Sequence, residues 1–246
     1  MNREDYNNLG YQILPQQIAA ADIERMKVAL AEWKTEESYT NTYGLIQNNI
    51  YQELRIFREL MEKYKLGQLA CELLDVPEIT LFQDNLIWKP SGTVKRVQWH
   101  QDFSYWPLSA PSGVTFWIAL DDIRKENGAL SYIPYSSKWG ECRAMNFITE
   151  GEMDGQECLS TLPWREHEHE QVIMEIAAGQ ILAHHPLLAH MSYPNLSPGP
   201  RRAWSLMWIT PDVCWDIEHA PHPYPVFHSV QNGATLEGKD FPRFLR

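Results

Sequence analysis

The chain is expected to be mainly β, a sandwich or barrel with helices packed on one of its faces. Three observations carry that expectation. Apolar residues recur every three or four positions up to Pro77, the period of a helix with one buried stripe. From Ile79 onward the apolar runs become short and rich in β-branched and aromatic residues, as strands are. No helical pattern separates those runs, so a sheet closed on itself or on a second sheet is favoured over alternating βαβ units.

Taken in order, Pro15 stands where a helix could open, and Ile23, Met26, Leu30 and Trp33 follow as one stripe. A second stripe uses Leu54, Phe57, Leu60, Met61 and Tyr64; Gly67 interrupts it, and Leu69, Leu73 and Leu74 continue before Pro77 ends the helical region. Residues 1–78 thus read as helical support. Strands are expected at 79–89, 96–102, 114–122, 130–135, 172–177, 180–184 and 201–210, a sandwich or barrel core over 79–210. Turn chemistry separates them at Pro90-Ser91-Gly92, Glu126-Asn127-Gly128, Ala178-Gly179 and Pro198-Gly199-Pro200, and Asn127-Gly128 suggests a hairpin. Residues 141–171 are acidic and aperiodic, with the run Glu166-His167-Glu168-His169-Glu170; a loop of that length in a compact domain suggests a lid. Residues 211–246, punctuated by Pro221, Pro223, Pro225 and Pro242, read as an irregular surface tail. One domain over 1–246 is expected, since a chain of this size buries roughly 70–75% of its unfolded surface without staples.

Composition excludes several functions. With 21 Lys+Arg against 32 Asp+Glu the formal charge is −11, opposite to what tracking a phosphate backbone needs. Cys71, Cys142, Cys158 and Cys214 stand far apart, without the paired spacing of a zinc or dithiol site, and are read as reduced thiols. The charged start has no apolar stretch behind it, and no window approaches about 18 uninterrupted apolar residues. A cytoplasmic protein that binds neither membrane nor nucleic acid is expected, its partner a small-molecule substrate; nothing indicates an oligomeric state.

The chemistry concentrates in Trp99-His100-Gln101-Asp102 at a strand end. In an extended chain positions i and i+2 share a face, so His100 and Asp102 can reach one metal. A third ligand must come from elsewhere, and His184, His185 and His190 in the segment His184-His185-Pro186-Leu187-Leu188-Ala189-His190 compete for that role.

The segments His100-Gln101-Asp102-Phe103, Asn127-Gly128-Ala129-Leu130 with Ile133-Pro134, and His185-Pro186-Leu187-Leu188-Ala189-His190 with Ser192 and Asn195 resemble the phytanoyl-CoA dioxygenase family of iron(II) and 2-oxoglutarate dependent oxygenases. In that family the distal histidine is followed two residues later by serine and eleven later by arginine, a spacing that His190, Ser192 and Arg201 reproduce. The resemblance, detailed from about Gln83 to Arg202, implies a double-stranded β-helix, the jelly-roll form of the barrel above. It implies His100, Asp102 and His190 as ligands of Fe(II), with three positions left open for 2-oxoglutarate and O2. It assigns Arg201 and Ser192 to the far carboxylate of 2-oxoglutarate, where a buried dianion requires a fixed positive charge, and Gln83 to the carboxylate nearer the metal. His184 and His185 fall to supporting roles, and Arg202, one residue along the strand, points the other way. A carboxylate at Asp102 disfavours the halogenating branch of the wider superfamily, where this ligand is missing.

The implied activity is hydroxylation of a small organic or natural-product substrate, coupled to decarboxylation of 2-oxoglutarate to succinate. Among the aromatics, Trp99, Phe103, Tyr105, Trp106 and Trp117 are candidates to line the substrate pocket. No Lys/Arg cluster suited to a CoA phosphate is evident. Two other readings keep the barrel: a cupin-like isomerase or hydrolase using another metal, and a non-catalytic small-molecule binding barrel.

Overall fold

A computed structural model describes residues 1–33, 39–41, 44–142, 144–146, 151–152, 164–220 and 230–246. In chain order the elements are α1 (Arg3–Leu9), β1 (Tyr11–Gln17), α2 (Ala20–Glu32), β2 (Tyr39–Asn41), β3 (Gly44–Asn48), α3 (Ile50–Glu53), α4 (Arg55–Lys63), α5 (Leu66–Leu74), β4 (Glu78–Lys89), β5 (Val97–His100), β6 (Gly113–Ala119), β7 (Leu130–Tyr132), β8 (Met145–Asn146), β9 (Gly151–Glu152), α6 (Trp164–His167), β10 (Val172–Met174), β11 (Gln180–His184), β12 (His190–Ser192), β13 (Arg201–Ile209) and β14 (Arg243–Leu245).

The large antiparallel sheet runs β1-β11-β6-β13-β4-β3-β2, with β14 on the same edge of β4 as β3 but further along it. A smaller sheet runs β10-β7-β12-β5. Between the two lies a core in which Trp117, Leu182 and Ala203 of the large sheet meet Leu130 and Tyr132 of the small one. The outer face of the large sheet carries the helices: Ile23, Met26 and Leu30 of α2, Phe57 and Leu60 of α4 and Leu69 and Leu73 of α5 pack on Phe116, Ile118, Trp204, Leu206 and Trp208. With both faces covered, β6 is buried at every position, which is why Val114-Thr115-Phe116-Trp117-Ile118 reads as a continuous run and not as an alternation. The mainly β jelly roll with helices on one face is therefore the observed architecture.

Five details depart from the reading of the sequence. The N-terminal third is not wholly helical, since it supplies β1, β2 and β3 to the large sheet. Pro15 does not open a helix but sits inside β1, where the register with β11 shifts between Ile13 and Gln17; an edge strand with an irregular register tolerates a missing N–H. The break between α4 and α5 falls at Lys65, left-handed at φ 49°, and not at Gly67. Gly67 lies within α5, where the close approach of Phe244 calls for glycine: a Cβ there would stand 2.3 Å from its ring.

Asn127-Gly128 closes a short 3-10 turn over Lys125–Asn127 but makes no hairpin. Its flanking strands β6 and β7 belong to different sheets, so the turn carries the chain across the roll. The tail is not wholly irregular, because β14 pairs with β4; Pro221, Pro223 and Pro225 lie outside the described residues. The lid expected at 141–171 also falls largely outside them. At its described ends, Glu141 meets His219 at 2.9 Å and Glu168 accepts the Trp99 indole N–H at 3.0 Å. Cys71, Cys142 and Cys214 are free, and Cys158 lies outside the described residues. Among the described residues no helix is long and apolar enough to cross a membrane.

Candidate active site

Pairing within the small sheet creates the site. His190 on β12 is the direct partner of His100 on β5, and their rings lie 4.1 Å apart. Asp102 follows β5 in a helical backbone conformation, which turns its carboxylate back toward both rings. Ligand atoms of His100, Asp102 and His190 all lie within 4.8 Å of one another. Of the three histidines competing to complete the pair, His190 closes this cluster.

Hydrogen bonds set the chemistry of these groups. His100 Nδ1 lies 2.8 Å from Gln98 O and His190 Nδ1 2.9 Å from Leu188 O. A carbonyl only accepts, so both Nδ1 atoms carry hydrogen and both Nε2 lone pairs face the cluster, the arrangement a metal-bound imidazole needs. Burial, with repulsion from His190, lowers the His100 pKa to about 3. Burial opposes ionisation of Asp102, but the imidazoles of His190 and His184 outweigh it and hold the carboxylate well below its usual range. Burial disfavours a charged His190, but Asp102 outweighs it and raises the pKa, a proton that a bound metal would displace. Two imidazoles and one carboxylate with further positions open form a donor set that suits a ferrous ion.

A cavity of about 170 Å³ extends from this cluster between the sheets to Arg201. Arg201 is buried, and its Nε and Nη1 have no hydrogen-bond partner among the described residues. Its guanidinium lies 5.5 Å from the centre of the Trp117 ring. Arg202 provides the contrast: it faces the other way and forks onto Asp121 at 2.9 and 2.7 Å. Among the described residues, Arg202 has a carboxylate partner and Arg201 has none. Burial lowers the Arg201 pKa only to about 10, so it remains a cation.

Reading the sequence missed Lys89, the strand partner of Arg201. Lys89 is buried, and its Nζ donates to Ser192 Oγ at 2.8 Å and Tyr193 O at 2.6 Å; neither acceptor carries charge. Arg201 and Ser192 therefore line one end of the cavity, with Lys89 behind Ser192, and among the described residues no carboxylate pairs with the Arg201 guanidinium, although a buried charge left unpaired is costly. A carboxylate is the kind of group this end of the cavity could receive. Asn195 supports it from behind by donating to the carbonyls of Lys89, Pro90 and Gly199.

The other candidates separate. Gln83 is buried but does not line the cavity; its amide donates to Asn85 at 3.1 Å, and it is Asn85 that reaches the cavity wall. Trp117 lines the cavity, and Tyr105 sets its ring edge-on to His100 at 5.9 Å. Trp99, Phe103 and Trp106 are core residues: Trp99 packs with Ile133 and Met191, Phe103 against His219 and Trp106 against Phe82. A face pattern in the sequence would have found Asn85 and Lys89, which lie two and six residues beyond Gln83 and so project from the same side of a strand. His185 is turned away to accept the N–H of Leu187, whereas His184 and Thr115 both bond Asp102.

The model of the phytanoyl-CoA dioxygenase family matches residues 6–203. The chain belongs to that family. A relative from Oryza sativa subsp. japonica, phytanoyl-CoA dioxygenase 1, is 29% identical over 190 residues, covering 74% of this chain and 66% of that one. The phytanoyl-CoA dioxygenase domain-containing protein 1 of Bos taurus is 32% identical over 175 residues, covering 69% and 58%. The chain thus spans less than two thirds of these relatives' own length. Among solved structures, the non-heme alpha ketoglutarate dependent carbocyclase SnoK from nogalamycin biosynthesis superposes with a TM-score of 0.78 at 20% identity, covering 98% of this chain and 94% of that one. This likeness concerns the fold alone, over nearly the whole chain.

Proposed function

We propose that this chain is an iron(II) and 2-oxoglutarate dependent dioxygenase that hydroxylates a small organic molecule. The observation that carries the reading is Arg201, a buried guanidinium with Nε and Nη1 unpartnered, at the far end of a cavity that begins at three metal-ligand side chains. His100, Asp102 and His190 would hold the iron. Arg201, Lys89 and Ser192 would receive the far carboxylate of 2-oxoglutarate, each charge-assisted bond contributing roughly 1.5–3 kcal/mol. When bound, iron and 2-oxoglutarate together supply, with dioxygen, an oxidation coupled to release of succinate and carbon dioxide. The protein's own residues orient the diacid, exclude water from it and leave coordination positions free.

Relatives support both the cofactors and the substrate class. A fold neighbour was solved with Fe3+, alpha ketoglutarate and nogalamycin RO. The L-proline trans-4-hydroxylase of Streptomyces griseoviridis is 25% identical over 223 residues, covering 78% of this chain and 79% of that one. Hydroxylation of a compact, neutral or zwitterionic metabolite is the reading these observations favour, because the net charge is −11 and no phosphate-binding cluster lies among the cavity walls.

The test is anaerobic reconstitution with Fe(II) and 2-oxoglutarate, then exposure to oxygen with a panel of amino acids, osmolytes and polyketides. Succinate reports turnover, and product mass separates hydroxylation (a gain of one oxygen) from ring closure or desaturation (a loss of two hydrogens) and from epimerisation (no change). His100→Ala and Asp102→Ala are expected to abolish succinate release with the fold intact by circular dichroism, and Arg201→Ala to raise the KM for 2-oxoglutarate by roughly a hundredfold or more. Turnover persisting in both ligand variants would sink the reading.

A further inference from the structure

The two oxygens of Asp102 have separate surroundings. Oδ1 faces the two histidine rings of the candidate cluster, 3.4 Å from His190 Nε2 and 3.8 Å from His100 Nε2. Oδ2 is turned the other way and accepts two hydrogen bonds, from His184 Nε2 at 3.1 Å and from Thr115 Oγ1 at 3.1 Å. His184 and Thr115 are register partners on β11 and β6 of the large sheet, while Asp102 follows β5 of the small one. The carboxylate is therefore clamped from across the roll.

His184 is itself held. Its Nδ1 lies 2.9 Å from the hydroxyl of Tyr132, which sits on β7 directly opposite His190. A carboxylate oxygen only accepts, so Nε2 of His184 carries the hydrogen; a neutral imidazole then has a bare Nδ1, which takes the Tyr132 hydroxyl hydrogen. Both side chains are buried, so water does not compete for either bond. The chain Tyr132, His184, Asp102 leaves the small sheet, touches the large one and returns at the candidate metal position.

We propose that His184, fixed in its Nε2–H form by Tyr132, is a positioning residue that reserves Oδ2 of Asp102 and so restricts this carboxylate to binding metal through Oδ1 alone. The proposal rests on reading His100, Asp102 and His190 as the ligands. Its consequence concerns coordination positions: a carboxylate free to rotate can offer both oxygens and occupy a position that a chelating cosubstrate needs. Removing a hydrogen-bond partner of a metal ligand typically lowers metal affinity 10–100-fold.

Cobalt(II) serves as the probe, because its visible absorption reports coordination number without turnover. Metal-free protein is titrated with cobalt(II), and 2-oxoglutarate is then added without oxygen. His184→Phe, which keeps a ring and removes both nitrogens, is expected to weaken cobalt binding roughly 10–100-fold and to blunt the absorption change on adding 2-oxoglutarate. His184→Gln, whose amide can donate to Oδ2, is expected to restore most of both. Tyr132→Phe, which removes one hydroxyl, is expected to shift the spectrum in the same direction by less. Should His184→Phe fail to fold, the Gln and Tyr132→Phe variants carry the test. Wild-type affinity and spectra in every folded variant would overturn the proposal. His100→Ala separates it from the underlying reading, since unchanged cobalt binding there would refute the ligand assignment itself.

Discussion

Lys89 lies beside Arg201 as its strand partner, with no carboxylate bonded to either among the described residues, and burial, with the repulsion from Arg201, lowers the Lys89 pKa to about 6. At pH 8 the free protein therefore holds Lys89 neutral, and arrival of a diacid beside it restores the charge. The sign follows: binding takes up a proton, so affinity falls as pH rises above about 6, approaching tenfold per pH unit until the bound-state value is reached. Calorimetry at pH 8 in buffers of different ionisation enthalpy is expected to show close to one proton taken up per 2-oxoglutarate bound to metal-loaded protein, and none in Lys89→Met. Equal uptake in both would mean another group titrates. Lys89 was legible in part. Its spacing from Gln83 put it on the right face, but a lysine at a strand end before Pro90 reads as exposed, and only its pairing with Arg201 shows that it is enclosed. Of the candidate cluster, His100 and Asp102 were legible locally as a strand-end pair, whereas the residues alone left His184, His185 and His190 open and only the family resemblance, through the spacing to Ser192 and Arg201, singled out His190.

Strand β4 shows how one element serves two layers. Asn85, Ile87 and Lys89 face the interior of the roll, whereas Asp84 and Leu86 face the helices. Asp84 accepts the Trp204 indole N–H at 2.6 Å and the Tyr51 N–H at the start of α3 at 3.2 Å. Burial outweighs both bonds and pushes its pKa up to about 7. An unfolded aspartate titrates near about 3.9, so between these values the native state binds more protons than the unfolded one, and stability falls as pH rises through about 7. Asp84→Asn removes that titration. Urea unfolding at pH 5 and pH 8 is expected to show the wild type losing stability relative to Asp84→Asn over this interval; parallel behaviour of the two proteins would exclude Asp84 as the source. At this scale β4 was anticipated almost to the residue because it is long and covered on both faces. Strands β2 and β3 were not, because three to five residues are too few to show a period before a partner strand selects it.

Over the whole molecule, contacts between distant parts of the chain decide what holds together, and these were the least legible in the sequence. Strand order in the large sheet follows from pairings such as β1 with β11 and β14 with β4, whose partners lie too far apart for any local pattern to report. Both ends of the chain meet at one corner, where Asp75 takes Arg3 and Arg246 at 2.9 Å each. Beside it Phe244 closes on Gly67 of α5 and sets its edge against Trp208 at 5.4 Å. We infer from this closure that residues 1–246 unfold as one cooperative unit, the C-terminal strand included. Gly67→Ala tests it: the added Cβ would fall 2.3 Å from Phe244 Cγ, and overpacking of this kind costs about 1–3 kcal/mol, with each kcal/mol lowering Tm by about 2–4 °C in a chain of this size. Phe244→Ala destabilises separately by opening a cavity. In the double variant the alanine at 67 meets empty space, so its penalty should vanish and the two effects should fail to add. If the C-terminal strand instead frays independently, Gly67→Ala would release the strand without shifting the main transition, and the double variant would unfold at the same temperature as either single one. The carboxylate pocket lies at the far end of β4 from this corner, so the KM for 2-oxoglutarate is expected to stay unchanged in Gly67→Ala at temperatures where the protein remains folded.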